Sequence, residues 1–450
     1  MSDISLTSDQ SNAVKKAAEW FRNCRSEIDS GKKLTQQIFR IFGFAGCGKS
    51  TITKYIMGEI GGTTMPRITA KTREERLDAR DEIREMAAKN PLVLYGAFTG
   101  KAALVMTRKG TPASTIHSML YTPQEASPEA IKEAKAALAS LRKNGPGTDD
   151  PHLWQAMIRD RENQLKNMHK PTFILNHDSM VRDAALVVLD EVSMVGEEMG
   201  LDLMSFGRPI MVLGDPGQLP PIKGEGIFTQ AEPDVMLTEI MRQAAESPII
   251  QLATMAREGK FIPFGRYSES VLKMPRSQVG IVYYLGAGQV LCGYNATRIG
   301  LNNQMKVAAG FPGDIPVGSG EKIICLKNRH ADGLINGQFL TLTNIGDQHE
   351  LGFMADILTE DGNEVGRHTV YKGHFEDHVA VDKERDHRDY FKKKGMVECV
   401  WGYAITGHKS QGSQWENVIV YDDGFGRGPD RARWLYTVIT RAENGLLILA

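Results

Sequence analysis

Short apolar runs rich in Val, Ile and Leu recur along the chain between longer stretches with helical spacing. The clearest are Ile38–Phe42, Leu92–Phe98, Ala185–Leu189 and Ile210–Gly214; a later set comprises Gln289–Cys292, Val418–Tyr421 and Leu446–Leu449. A strand needs such near-continuous apolar character when helices cover both faces of its sheet. Two sets separated in sequence predict two tandem α/β domains built on parallel sheets, residues 1–235 and 236–450.

Three segments break the pattern. Residues 63–90, with TREERLDARDEIREMAAK, predict a charged, solvent-facing helix. Residues 123–180 hold two helical stretches, Pro128–Lys143 and Leu153–Met168, divided by GPGTDDP, so a mostly helical insertion over about 122–180 is expected in the first domain. Residues 330–397 lack helical spacing and alternate in GQFLTLTNIG, which predicts a small β-barrel-like insertion in the second domain, ending in Lys392–Lys394.

A formal net charge of -1 means that any polyanion must be met by local clusters rather than a global basic field. The first residues, MSDISLTSDQSNAVKK, lack the apolar core of a signal peptide, and no apolar run reaches membrane-spanning length. Cys24, Cys47, Cys292, Cys325 and Cys399 are scattered with no Cys-x-x-Cys pair. That argues against zinc and a disulfide framework and suits a reducing cytoplasm.

GFAGCGKST, residues 43–51, follows a predicted strand and opens a predicted helix. In that context Gly43, Ala45, Gly46, Cys47, Gly48 and Thr51 shape a loop whose N–H groups converge on phosphate oxygens. Lys49 would hold the β- and γ-phosphates of ATP and Ser50 would coordinate Mg²⁺. LVVLDEVSM, residues 186–194, ends a buried strand in two carboxylates: Asp190 is placed to reach Mg²⁺ and Glu191 to activate or orient the attacking water. VLGDPGQLPP, residues 212–221, supplies Gln218 to the γ-phosphate or that water. Each string has a plainer alternative, a Gly-rich turn or an acidic loop, and their order in one sheet favours the nucleotide site.

These strings resemble motifs I, II and III of superfamily 1 helicases, and further strings follow in order. LTSDQ (6–10), AFTGKAA (97–103), STIHSML (114–120), LTEIMRQ (237–243), GYAITGHKSQGSQW (402–415) and LYTVITRA (435–442) resemble the remaining motifs, the last two pointing to the RecD/Dda branch. The resemblance implies two RecA-like domains and an ATP-dependent DNA helicase moving 5′ to 3′ on single-stranded DNA; the sequence does not set the oligomeric state, and a monomer is the expectation. A translocase that remodels protein–DNA complexes without separating strands is the alternative. It implies that Gln10 reads the adenine edge and that Gly412 and Gln414 lie by the nucleotide, Gln414 standing where the family usually has Glu. Arg242 and Arg441 would reach the γ-phosphate from the second domain, so completing the site requires the domains to close. Thr99, Lys101, His117, Asn295, Thr406, His408 and Lys409 would line the DNA track; singly, each has an ordinary role as a cap or solvated side chain. In Dda-type relatives the first insertion is a β-hairpin pin, and Phe173 and Trp154 are the candidate wedges here. Cys47 in the phosphate loop raises the prospect that oxidation blocks phosphate binding.

Overall fold

The computed structural model describes residues 6–65, 82–83, 85–87, 89–124, 127–144, 151–168, 172–221, 226–240, 246–316, 318–329, 332–376, 393 and 395–450. Its first half contains strands β1 (Ile38–Gly43), β2 (Thr63–Thr64), β3 (Leu92–Ala97), β4 (Ala113–Thr115), β5 (Tyr121–Gln124), β6 (Thr172–Leu175), β7 (Leu186–Asp190), β8 (Ile210–Gly214) and β9 (Val235–Leu237). Seven form a parallel sheet ordered β2-β3-β7-β8-β1-β9, with β4 on β3. Alternate residues serve opposite faces. Ile41, Val188 and Leu213 enter one core, and Val187, Leu189 and Val212 the other. The run of Val and Ile is therefore consumed on both sides, as the sequence required.

The second half holds β10 (Gly265–Arg266), β11 (Val271–Met274), β12 (Gln289–Cys292), β13 (Glu321–Cys325), β14 (Phe339–Thr343), β15 (Gly352–Thr359), β16 (Glu364–Tyr371), β17 (Val397–Trp401), β18 (Ala404–Thr406), β19 (Trp415–Tyr421) and β20 (Ala442–Leu449). The second sheet is ordered β10-β11-β20-β19-β12-β18, parallel except for β10. Strands β13 to β17 close a five-stranded barrel. It runs from Glu321 to Trp401, so it begins before and ends after residues 330–397. Glu321–Cys325 and Val397–Trp401 are apolar runs that read equally well as sheet strands; only closure assigns them to the barrel.

The first insertion is a helical pair, Pro128–Asn144 and Pro151–Met168, standing on an antiparallel ribbon of β5 and β6. The helical expectation holds, and the ribbon beneath it went unseen. Most of the charged segment 63–90 lies outside the described residues, but Thr63–Thr64 pair with β3 as an edge strand. Leu237 lies in β9, paired with β1, so the first sheet continues just past residue 235. Arg242 lies outside the described residues.

Candidate functional site: a phosphate loop between two lobes

The phosphate loop leaves β1 at Gly43, where a Cβ would stand 2.9 Å from that of Leu237 on neighbouring β9. Gly46 and Gly48 take φ of +83° and +74°, left-handed values that favour glycine. The chain then enters the helix Lys49–Ile60, whose first N–H groups face the loop. Lys49 Nζ donates to the carbonyls of Gly43 (2.6 Å) and Phe44 (3.1 Å) and stands 3.8 Å from Asp215 Oδ2. The Cys47 side chain is fully buried and burial raises its thiol pKa, against the nearby charge of Lys49, so the structure disfavours Cys47 as an oxidation point.

Gln10 is buried and doubly engaged. Its Oε1 accepts from Thr7 N–H in a capping box and its Nε2 donates to Cys47 C=O at 2.9 Å, tying the first helix to the loop. Asp9 accepts from Thr238 and Glu239, which anchors the start of the segment leading to Arg242.

Asp190 closes β7, with Oδ2 3.5 Å from Ser50 Oγ and Oδ1 accepting from Glu191 N–H at 2.8 Å. Burial raises the carboxyl pKa of both Asp190 and Glu191; Arg441 and Lys49 pull Glu191 back down. One carboxylate thus feels a cation from each lobe. Glu191 also sits at φ +55°, a left-handed conformation that costs a non-glycine residue about 1–3 kcal/mol and is characteristic of functional positions. Gln218 is buried beside Asp215, and its Oε1 has no hydrogen-bond partner among the described residues. A buried acceptor left unmet suits a water or a hydroxyl donor.

Four groups from the second lobe close over the first. Tyr436, on the helix Gly428–Ile439, accepts from Ala45 N–H and donates to Asp215 Oδ2, both at 2.7 Å. Thr437 Oγ1 accepts from Leu219 N–H at 3.0 Å, and Gln411 Nε2 donates to Leu219 C=O at 2.9 Å. The Arg257 guanidinium lies 3.5 Å over the Phe44 ring. Arg441 is buried, its guanidinium held by Thr437 C=O (3.1 Å), Ser413 C=O (3.2 Å) and Thr440 Oγ1 (3.2 Å). Sequence reasoning named Arg441 but missed Asp215, Arg257, Gln411 and Tyr436. Asp215 and Tyr436 lay inside strings it had singled out; Arg257 carried no signal.

Gly412 packs against the first lobe, where a Cβ would meet Ala102 Cβ at 2.9 Å and Thr99 Oγ1 at 3.1 Å. Gln414 is exposed before β19. The metal partners expected from sequence, Ser50 and Asp190, offer a hydroxyl and a carboxylate side by side. That fits Mg²⁺, which takes one or two protein oxygens and fills its octahedron with water and phosphate.

A second cleft of about 630 Å³ runs between the lobes and the barrel. Thr99, Lys101, His117, Asn295, Thr406, His408 and Lys409 all line it. Thr99 also caps the helix Gly100–Arg108, and Thr406 Oγ1 accepts from Lys409 N–H, so the cap roles and the cleft coexist. Burial lowers the pKa of His117 and His408, which favours neutral rings that stack or hydrogen-bond. Lys101 is buried instead of solvated. Its Nζ lies 3.3 Å from Glu360 in the β15–β16 turn and 4.4 Å from the Phe339 ring centroid, and Arg108 pairs with Glu360 and Asp361. The barrel therefore clasps the first lobe across the cleft. Phe173 is exposed on the β5–β6 ribbon, its ring edge-on to His117 at 4.3 Å, whereas Trp154 donates to Leu141 C=O inside the helical pair.

The family model described as an AAA domain matches residues 30–270, and that of the UvrD-like helicase C-terminal domain matches residues 402–449. The ATP-dependent RecD2 DNA helicase of Deinococcus radiodurans is 27% identical over 286 residues, taking in 58% of this chain. The chain spans only about a third of that relative, 35% of its length. A structure of two coordinating Pif1 helicases at forked duplex DNA superposes with a TM-score of 0.51 at 15% identity, covering 100% of this chain and 92% of that one. A Bacteroides Pif1 helicase in complex with ADP-AlF3 and single-stranded DNA gives a TM-score of 0.48 at 14% identity, covering 100% and 93%. At 15% identity, the first of these bears on the fold alone.

Proposed function

Because the chain belongs to the AAA-domain family and is similar to a RecD2 DNA helicase, we propose that it is a superfamily 1 helicase that hydrolyses Mg²⁺·ATP between its lobes to move 5′ to 3′ along single-stranded DNA and part the strands ahead. The observation that carries the reading is Glu191, a carboxyl of raised pKa acted on by Lys49 from its own lobe and Arg441 from the other.

Lys49 exchanges the carbonyls of Gly43 and Phe44 for phosphate oxygens, and the loop N–H groups complete the cradle. Ser50 and Asp190 would hold Mg²⁺, which when bound would neutralise charge on the β- and γ-phosphates. Glu191 takes the proton of the attacking water, and Gln218 Oε1, unmet among the described residues, accepts its other hydrogen. Arg441 offers a permanent guanidinium to the charge on the γ-phosphate oxygens. Arg242 is assigned the same task on resemblance alone, and Gln10, Gly412 and Gln414 the base and ribose. Loss of the γ-phosphate releases the lobes, and the cleft beneath them shifts along the strand. Movement 5′ to 3′ follows from the family resemblance.

The cleft's mixture of one exposed lysine, neutral histidines and the aromatic rings of Phe98 and Trp401 matches what tracks a backbone without reading sequence. Phe173, exposed beside His117, is the wedge this reading assigns, which favours unwinding over bare translocation. Glu191→Gln should retain nucleotide binding and lose phosphate release at least a hundredfold, with or without single-stranded DNA. Turnover at the wild-type rate would remove the assigned chemistry. Displacement from a duplex with a 5′ tail but not a 3′ tail is the expected polarity; ATP-dependent movement without displacement would leave a translocase.

A further inference from the structure

Cys325 ends β13 and Cys399 lies in β17, and the antiparallel register sets them directly opposite one another. Leu326 N–H donates to Glu398 C=O and Gly402 N–H to Lys322 C=O, each at 2.9 Å. Those pairs carry the inter-strand hydrogen bonds, so by alternation Cys325 and Cys399 form a non-hydrogen-bonded pair. Cα atoms in such pairs stand about 4.5 Å apart with side chains at their closest, inside the span a disulfide bridges. The Cys325 thiol donates to Lys327 C=O at 3.1 Å. Cys24 and Cys47 are buried in the first lobe; Cys292 belongs to the same buried cluster as the pair but lies in β12, outside the β13–β17 register.

We propose that Cys325 and Cys399 are a modification site: a cross-strand dithiol, reduced at rest, that a peroxide converts reversibly to a disulfide stapling β13 to β17. The pair is chemically asymmetric. The neighbouring Cys399 thiol lowers the Cys325 pKa against burial, helped by the charges of Lys409 and Arg329, while burial raises that of Cys399. Cys325 is thus the nucleophile and Cys399 the resolving thiol. The Cys325 thiolate attacks one peroxide oxygen, breaking the O–O bond to give a sulfenic acid and hydroxide. Cys399 sulfur then attacks the sulfenic sulfur and expels its oxygen as water. Two thiols and one peroxide yield one disulfide and two waters, and a dithiol reductant reverses the change.

The site touches the cleft. Ile324, Leu326, Val400 and Trp401, neighbours of the two cysteines in the same strands, line it together with Lys409. Both thiols are fully buried, so oxidation requires the seam to open. A polyanion in the cleft holds that wall and neutralises Lys409, and therefore slows the reaction; this last step alone rests on the proposed function.

The full chain is treated with hydrogen peroxide, quenched, denatured, alkylated and mapped by mass spectrometry. A Cys325–Cys399 linked peptide is expected, with two of the five cysteines protected from alkylation until dithiothreitol is added. Cys292→Ser should keep the link, and Cys325→Ser and Cys399→Ser should each lose it; if either fails to fold, the wild-type map decides. Bound single-stranded DNA should slow linkage several-fold. Uniform oxidation of all five thiols, or sulfinic acid at Cys325 without a link, would overturn the site. Linkage at the same rate with DNA bound would overturn its coupling to the cleft.

Discussion

Tyr436→Phe isolates the contact between the lobes. The hydroxyl is buried, accepts from Ala45 N–H in the phosphate loop and donates to Asp215. Burial and the Asp215 charge raise the Tyr436 pKa, so the group removed is a neutral phenol. Asp215 keeps Gly217 N–H at 3.0 Å and Lys49 at 3.8 Å, so the carboxylate remains compensated. Ala45 N–H is the group left without its partner. Stripping this part-buried donor of its acceptor costs about 1–2 kcal/mol, roughly a 5- to 30-fold shift toward the parted state. Phenylalanine preserves the ring, so packing against Gly217 is unchanged. The assay pairs steady-state phosphate release at saturating single-stranded DNA with binding of a fluorescent ADP. Turnover should fall about tenfold or more while ADP affinity, set by the first lobe, moves less than about threefold. Equal losses in both, or no loss in either, would refute the reasoning that this hydroxyl joins the lobes.

Removing the barrel's acidic turn with Glu360→Ala/Asp361→Ala should release Lys101 and Arg108 into the cleft. Two added phosphate contacts steepen the dependence of log affinity on log salt by roughly 1.4 for single-stranded DNA, and an unchanged slope would show the cations stay away from the strand. Acid should open the barrel through Glu398. Burial opposes its charge, but hydrogen bonds from His374 and Lys327, with the charges of Lys327 and Lys393, hold its pKa at about 2 against an ordinary 4.5. A depressed carboxylate stabilises the fold above its unfolded pKa, and that contribution is lost as pH falls from about 4.5 toward 2. Glu398→Gln should flatten the stability–pH profile there; a profile identical to wild type would exclude the cluster.

Both parallel sheets were legible because a strand covered on two faces must be apolar at nearly every position, and Leu186–Leu189 and Gln289–Cys292 are. The phosphate loop was legible because backbone approach to an anion demands glycine at fixed spacing. Barrel ends such as Glu321–Cys325 were not, since closure depends on partners distant in sequence. The ribbon under the helical insertion stayed hidden for the same reason: Tyr121–Gln124 and Thr172–Leu175 are too short to carry a pattern and are joined only by pairing. The cleft residues were found as a set, yet a buried Lys101 answering to Glu360 could not be, because its partner comes from another domain. Asp215 and Tyr436 show the same limit. Their types were visible, but the bond between them exists only once the lobes meet.

The central claim is that Arg441, from the second lobe, acts on the phosphate held by Lys49 in the first. The most direct measurement is the single-turnover rate of ATP cleavage by Arg441→Lys with single-stranded DNA bound. Lysine keeps the charge but loses the planar fork, and cleavage should slow by about a hundredfold or more with nucleotide affinity nearly unchanged. Cleavage at the wild-type rate would contradict the account.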